Sequence, residues 1–187
     1  MEKVRCDWAS GNELEEKYHD EEWGSEQHED QKLFEMLILE SMQAGLSWST
    51  ILKKRETLTS AYDQFDYVKI AKYTQEKIDS LLEDPGIIRN KLKINATINN
   101  AQVFMRIQEE YGSFNQFIWS YVDDKPIRNH WTSITDVPAS TELSDKISKD
   151  LKKKGFKFLG TTTVYAFMQA TGIVDDHLSY CFKNKSN

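Results

Sequence analysis

Only two cysteines, three prolines and eight glycines occur among 187 residues. Two thiols can close at most one disulfide, which excludes the cross-linked scaffold of a small secreted domain. So few prolines and glycines leave long stretches without helix breakers. No apolar run approaches the roughly 20 residues that would cross a bilayer. The opening segment, Met1 to Trp8, is charged and lacks the apolar core of a secretory signal, so a cytoplasmic protein with no membrane partner is expected. Internal repeats, low-complexity tracts and heptad seams are also missing, which speaks against solenoids and coiled coils and leaves a monomer as the expectation. A formal net charge of -6 argues against a surface uniformly coated for nucleic acid, although net charge does not describe its distribution.

A hydrophobic content of 39% with 12% aromatic residues supports a folded core. The length fits one unit over 1–187, in which two lobes can be drawn: residues 1–30 with 112–187, and residues 31–111. Helical periods dominate. Leu33, Phe34, Met36, Leu37, Ile38 and Leu39 begin a strongly apolar helix, and Ser47 caps the next, which carries Trp48, Ile51 and Leu52. Val68 to Ala71 is a short apolar stretch. Helices are further predicted from Thr74 to Leu82, along Ile94 to Met105 and up to Gly112, along Phe114 to Val122, from Ser144 to a stop at Gly155, and along Thr161 to Thr171. Asp123 to Ala139 holds two prolines and no clear period and reads as a loop. The fold class is all-α.

Each cysteine has a histidine placed to join it as a metal ligand: Cys6 with His19, and His177 with Cys181. The second spacing puts two ligands on one face of a helix end; the first is looser. One zinc bound by all four would clasp the two ends of the chain and leave no open coordination position for activating water. On spacing alone three readings stay open: zinc, two ordinary reduced thiols, or a disulfide.

Glu40 falls on the apolar stripe of the first strong helix, seven residues after Leu33. A carboxylate there must meet a donor, a cation or a ligand, or else turn to solvent at the helix end. Gln43-Ala44-Gly45-Leu46-Ser47-Trp48 follows as a tight junction with a bare leucine at its tip. Trp8, Tyr18 and Trp23 flank the proposed N-terminal ligands; such density is ordinarily core, but aromatic faces beside one acid also suit a flat cationic ligand.

Asp84-Pro85-Gly86 separates two helical patterns, and Gly86-Ile87-Ile88-Arg89 resembles a helix-hairpin-helix turn, whose backbone N–H groups face a DNA phosphate without reading sequence. Arg89, Lys91 and Lys93 add positive charge. Taken singly, this run from Arg89 to Lys93 and two others, Lys53-Lys54-Arg55 and Lys152-Lys153-Lys154 with Lys157, each read most simply as solvated helix faces.

Taken together, Arg5-Cys6-Asp7-Trp8, Tyr18-His19-Asp20-Glu21-Glu22-Trp23-Gly24, Lys32-Leu33-Phe34-Glu35-Met36, Gln43 to Trp48, Leu52 to Arg55, Gly86 to Arg89, Leu151 to Phe158, Gly160-Thr161-Thr162 and Asp176-His177 resemble the bacterial 3-methyladenine DNA glycosylase I family over essentially the whole chain. The resemblance implies a helix-hairpin-helix glycosylase fold with Cys6, His19, His177 and Cys181 as ligands of a structural zinc. It implies that Glu40 recognises the excised base, that Tyr18, Trp23 and Trp48 are pocket aromatics with Trp8 close by, and that Gly45 and Leu46 form the tip entering the gap left by a flipped nucleotide. The implied partners are double-stranded DNA with alkylated bases and free 3-methyladenine as product.

One position departs from the family. Glu15 stands where some members carry a pocket tyrosine; either it turns to solvent and the pocket loses an aromatic wall, or a second carboxylate approaches the cationic base, an arrangement that could raise the pKa of Glu40 by like-charge coupling. Between Asp84 and Asp123 the only acids are Glu109 and Glu110, so the aspartate that related glycosylases place after the hairpin is missing. No lysine suggests itself as a covalent nucleophile, which implies a monofunctional enzyme. Two rivals stand beside this reading: an inactive, damage-sensing DNA-binding protein on the same fold, and a zinc hydrolase with glutamates between Glu13 and Glu22 beside an open metal.

Overall fold

The helix that carries Glu40 is surrounded. In the computed structural model, which describes residues 2–185, every residue from Met36 to Met42 is buried. A helix apolar on all sides is a core helix, and the rest of the chain wraps it. The order is α1 (Glu13–Glu21), α2 (Asp30–Met42), α3 (Trp48–Ala61), α4 (Tyr67–Ile70), α5 (Gln75–Glu83), α6 (Lys91–Tyr111), α7 (Phe114–Trp119), β1 (Ile127–Arg128), α8 (Glu142–Lys154), α9 (Thr161–Ala170) and β2 (Val174–Asp175). Helices α3, α6, α7 and α9 pack on α2.

The helix boundaries follow local chemistry. Ser47, Thr74, Asn90, Ser113 and Thr141 each accept a hydrogen bond from a backbone N–H of the first turn they precede. Gly155, at φ +107°, ends α8 in the left-handed conformation that glycine adopts without strain. A longer-range cap ties α2 to α7: the Asp30 carboxylate accepts from the N–H groups of Phe114 and Asn115 at 2.9 and 2.8 Å. Phe34, Phe104 and Phe114 then form a contiguous aromatic core, with ring centroids 5.1 and 4.5 Å apart.

Two expectations need correction. The fold is mostly helical rather than purely so: Ile127–Arg128, inside the predicted loop, pairs in parallel with Val174–Asp175. Two residues carry no detectable period, and their partner lies far along the chain. His177 and Cys181 do not share a helix end; both sit in the irregular segment after β2. That segment is held instead by cross-connections, Ser179 N–H to Trp131 O at 2.9 Å and Phe182 N–H to Val4 O at 2.8 Å.

The end of α9 meets the strap between α1 and α2 at Gly172. Its φ is +76°, and a Cβ there would lie 2.6 Å from both Glu26 N and Ser25 C. Backbone cannot yield as a flexible side chain can. Gly172→Ala is therefore expected to destabilise the fold by about 2–3 kcal/mol, read as a lower urea midpoint at unchanged m-value.

Candidate functional site

A cavity of about 280 Å³ opens between the N-terminal strip, the C-terminal end of α2 and the C-terminal segment. Its walls include Trp8, Tyr18, Trp23 and Trp48 with Glu40, and also Glu15, Gln43 and Asp176. The size suits a small ligand, since drug-sized ligands occupy pockets of about 300–1,000 Å³. The rings form one wall: Trp8 lies edge-on to Trp23 at 5.1 Å, and Tyr18 lies 5.3 Å from Trp48.

Three polar groups in this cavity lack partners in the protein. Glu40 is only 5% exposed, and among the described residues no donor reaches its carboxyl. The Tyr18 hydroxyl and Trp48 Nε1 are buried without a hydrogen bond. Buried polar atoms are ordinarily satisfied, so three orphans in one cavity mark a place for a ligand. Burial alone raises the Glu40 carboxyl to about 8. Burial, and then the proximity of Glu40, push the Tyr18 phenol well above its ordinary range. The pocket is thus uncharged at Glu40 near neutral pH, and a cation entering it would favour ionisation of that acid.

Glu15 reaches the cavity wall while its carboxylate accepts from Asn12 Nδ2 at 2.9 Å, within the cap of α1. Of the two alternatives, a second acid does line the cavity. The rise of the Glu40 carboxyl has burial as its cause.

Asp176 was part of the recognised sequence pattern without an assigned role. It is 1% exposed and accepts from Asn129 Nδ2, Trp131 Nε1 and Gln169 Nε2 at 2.8, 2.8 and 2.9 Å, and from the Tyr165 hydroxyl. Four donors hold it and organise the far wall, where Ile134 and Val137 of the predicted loop also contribute. No periodicity could have assembled these from residues 129 to 176.

Beside the aromatic wall, Cys6, His19 and Cys181 are buried, with their ligand atoms within 4.8 Å of one another. The His177 ring centroid lies 5.1 Å from that of His19, and its Nε2 is a buried atom without a partner. Each histidine presents Nε2 because its Nδ1 is held by a carboxylate, Asp20 at 2.8 Å and Asp175 at 2.7 Å. That arrangement is common in metal sites, where a carboxylate orients a ligating imidazole. The donor set and the orphaned nitrogen fit a tetrahedral zinc.

In the turn after α2, Gly45 has φ +78° and open space around the position of a Cβ, and Leu46 is 38% exposed. Further along the chain, α5 and α6 are joined by the turn at Gly86. A Cβ on Gly86 would stand 3.0 Å from the Thr57 side chain, which donates to the Gly86 carbonyl. Ile87 is buried as an anchor and Arg89 is exposed. Among the described residues, the N–H groups of Ile88 and Arg89 find no acceptor. Two residues of the basic runs do not face solvent as expected. Arg55 pairs with Glu22 and Glu35 at 2.7 and 3.2 Å. Lys93 is buried with its ammonium on the Met42 and Ala44 carbonyls.

Comparison with known proteins bears on this geometry. A family model described as methyladenine glycosylase matches residues 8–184. The DNA-3-methyladenine glycosylase of Haemophilus influenzae is 48% identical over 178 residues, covering 95% of this chain and 96% of that one. DNA-3-methyladenine glycosylase 1 of Escherichia coli is 47% identical over 177 residues, 95% of each chain. A crystal structure of a 3-methyladenine DNA glycosylase I superposes with TM-score 0.94 at 47% identity, over 97% of this chain and 100% of that one. A Staphylococcus aureus 3-methyladenine DNA glycosylase I, solved to explain its recognition of 3-methyladenine, superposes with TM-score 0.93 at 39% identity over 96% of each.

The buried carboxyl makes stability depend on pH. With Glu40 at about 8 in the folded chain and 4.5 as its ordinary value, the unfolded chain releases this proton first, so stability falls as pH rises from 4.5 to 8 and levels beyond. Glu40→Gln removes the ionisable group. Urea titrations from about pH 5 to about pH 9 should show the variant gaining on the wild type across that window, by at most ~5 kcal/mol at ~1.4 kcal/mol per pKa unit. A difference that does not change with pH would contradict burial of an uncompensated acid.

Proposed function

The chain belongs to the methyladenine glycosylase family, and we infer from that membership and from its cavity that it is a DNA-3-methyladenine glycosylase of base-excision repair. The observation carrying this reading is the convergence of three unpartnered polar groups, Glu40, Tyr18 Oη and Trp48 Nε1, inside an aromatic wall. N3-methylation makes a nucleotide's adenine cationic. Aromatic faces attract a flat cation, and ionised Glu40 accepts from its exocyclic amine.

A base inside a duplex cannot reach such a cavity, so the nucleotide must be extruded, at least cost where damage already weakens stacking or pairing. Leu46 fills the vacated space as an apolar wedge. The element α5–turn–α6 acts as a helix-hairpin-helix, offering the N–H groups of Ile88 and Arg89 to a phosphate, with Arg89 adding charge. Water forms a bond to the anomeric carbon as the glycosidic bond breaks. The bonding pair leaves with the base and neutralises its charge, and the water's second proton passes to solvent. Since the lesion is already an activated leaving group, capture does most of what catalysis requires. No lysine takes part, so no strand cleavage follows, and the enzyme works as a cytoplasmic monomer.

Zinc held by Cys6, His19, His177 and Cys181 would clasp the N-terminal strip to the C-terminal segment and supply structure only. About one zinc per chain is expected by atomic emission. Chelation should loosen the ends and change tryptophan fluorescence from Trp8 and Trp23, while His177→Ala lowers metal content; a purified chain indifferent to chelators would refute the clasp.

Chromatography of bases released from alkylated duplex DNA tests the function. Free 3-methyladenine is expected with the wild type, and loss of the Glu40 carboxylate in Glu40→Gln should slow release about 10- to 100-fold, equivalent to ~1.4–2.7 kcal/mol. Damage-dependent binding with no released base would instead favour the inactive sensor.

A further inference from the structure

Lys93 is the third residue of α6, and it shares the inward stripe with Ala96, Thr97 and Asn100 while Leu92 beside it is 71% exposed. A buried ammonium requires acceptors. It finds them on another helix: Nζ donates to Met42 O at 2.8 Å and to Ala44 O at 2.6 Å. These flank Gln43, where α2 ends and the turn to Gly45 and Leu46 begins. The last carbonyls of a helix lack partners, and a cation there also complements the helix dipole. The turn is closed by Leu46 N–H on Gln43 O at 2.7 Å. At the other end of the lysine, its own N–H is held by Asn90 Oδ1 at 3.2 Å, the cap that closes the Gly86 turn. One side chain therefore spans from the turn before α6 to the tip after α2. Glu40 lies only two residues before the first of its acceptors.

We propose that Lys93 is a positioning residue: a strut fixing the Leu46 tip relative to the hairpin, so that docking of a phosphate and insertion of the leucine become one event. It touches no reacting atom and acts through Leu46. The inference rests on the reading of the site as a base-flipping glycosylase, and its consequence is specific to duplex substrates. Where bases are already unstacked, a misplaced wedge loses its importance.

The test uses the full-length protein with two separate readouts. In the first, a duplex carries a stable abasic analogue opposite 2-aminopurine, and entry of Leu46 is followed by fluorescence without any excision. Wild type should perturb the signal; Leu46→Ala and Lys93→Met should each lose most of the change, and the double variant should lose little more. In the second, excision from alkylated duplex DNA should fall by about tenfold or more in Lys93→Met, while excision from alkylated single strands and binding of free 3-methyladenine stay within about twofold of wild type. Lys93→Arg should restore part of the duplex activity. Additive effects of the Lys93 and Leu46 substitutions, or equal losses on single and double strands, would overturn the proposal. Failure of the wild type to release any base would overturn the glycosylase reading, whereas the abasic-duplex signal still decides the strut. If Lys93→Met does not fold, Lys93→Gln enters the same cycle and is judged by the same outcomes.

Discussion

An uncompensated carboxyl at the buried C-terminal end of α2 is the constraint around which this molecule is organised. From Met36 to Met42 α2 has no solvent face, so Glu40 cannot escape into water as an acid at a surface helix end would. Proteins avoid such a group or provide it with donors. Here it faces a cavity shared with two further orphaned groups, Tyr18 Oη and Trp48 Nε1. The arrangement disfavours the anion until something positive arrives, which makes the pocket selective for charge before any hydrogen bond is counted. A neutral normal base entering it would leave the acid protonated and gain no ion pairing.

That cavity needs walls, and the walls come from the chain's two ends. Arg5 grips Asp20 through two hydrogen bonds of 3.0 and 2.8 Å, and Asp20 in turn orients His19. His19 and His177 bracket Trp23, whose ring centroid is 4.8 Å from that of His177. The metal-ligand cluster and the aromatic wall are therefore one packed unit. Cys6, His19 and Cys181 bring their ligand atoms within 4.8 Å of one another against this wall, so whatever orders that group also orders Trp8 and Trp23.

Much of this could be read from residue order. Apolar stripes gave the helices, capping residues gave their starts, and Glu40 stood out because an acid occupied a position on such a stripe. The two Cys-His pairs were legible as spacing, yet spacing could not tell a helix end from irregular chain: the separation of four at His177 and Cys181 is realised by the irregular segment after β2. Other features depend on partners distant in sequence. Asp176 acquires its role only when Asn129, Trp131, Tyr165 and Gln169 converge on it. Lys93 looked like surface charge because it sits among Arg89 and Lys91. Its spacing to Ala96, Thr97 and Asn100 placed it on the buried face, a signal that the run of cations concealed.

The same internal use of cations bears on how a chain of net charge -6 would hold DNA. Arg55 is engaged by Glu22 and Glu35, and Lys32 by the same two carboxylates at 3.4 and 3.1 Å. With Lys93 also withdrawn, Arg89 and Lys91 are the exposed cations of the hairpin run. Non-specific affinity scales with the number of phosphates neutralised, and each cation engaged by a carboxylate or a carbonyl is one fewer for that purpose. On the proposed reading its grip comes from backbone N–H groups at a turn and from an apolar wedge, neither of which reads sequence. Discrimination is thereby moved from the groove to the pocket, where a methylated cationic base differs most from a normal one. A searching enzyme benefits from that division, because weak contact with the duplex and strong response to charge in the cavity are set by different residues.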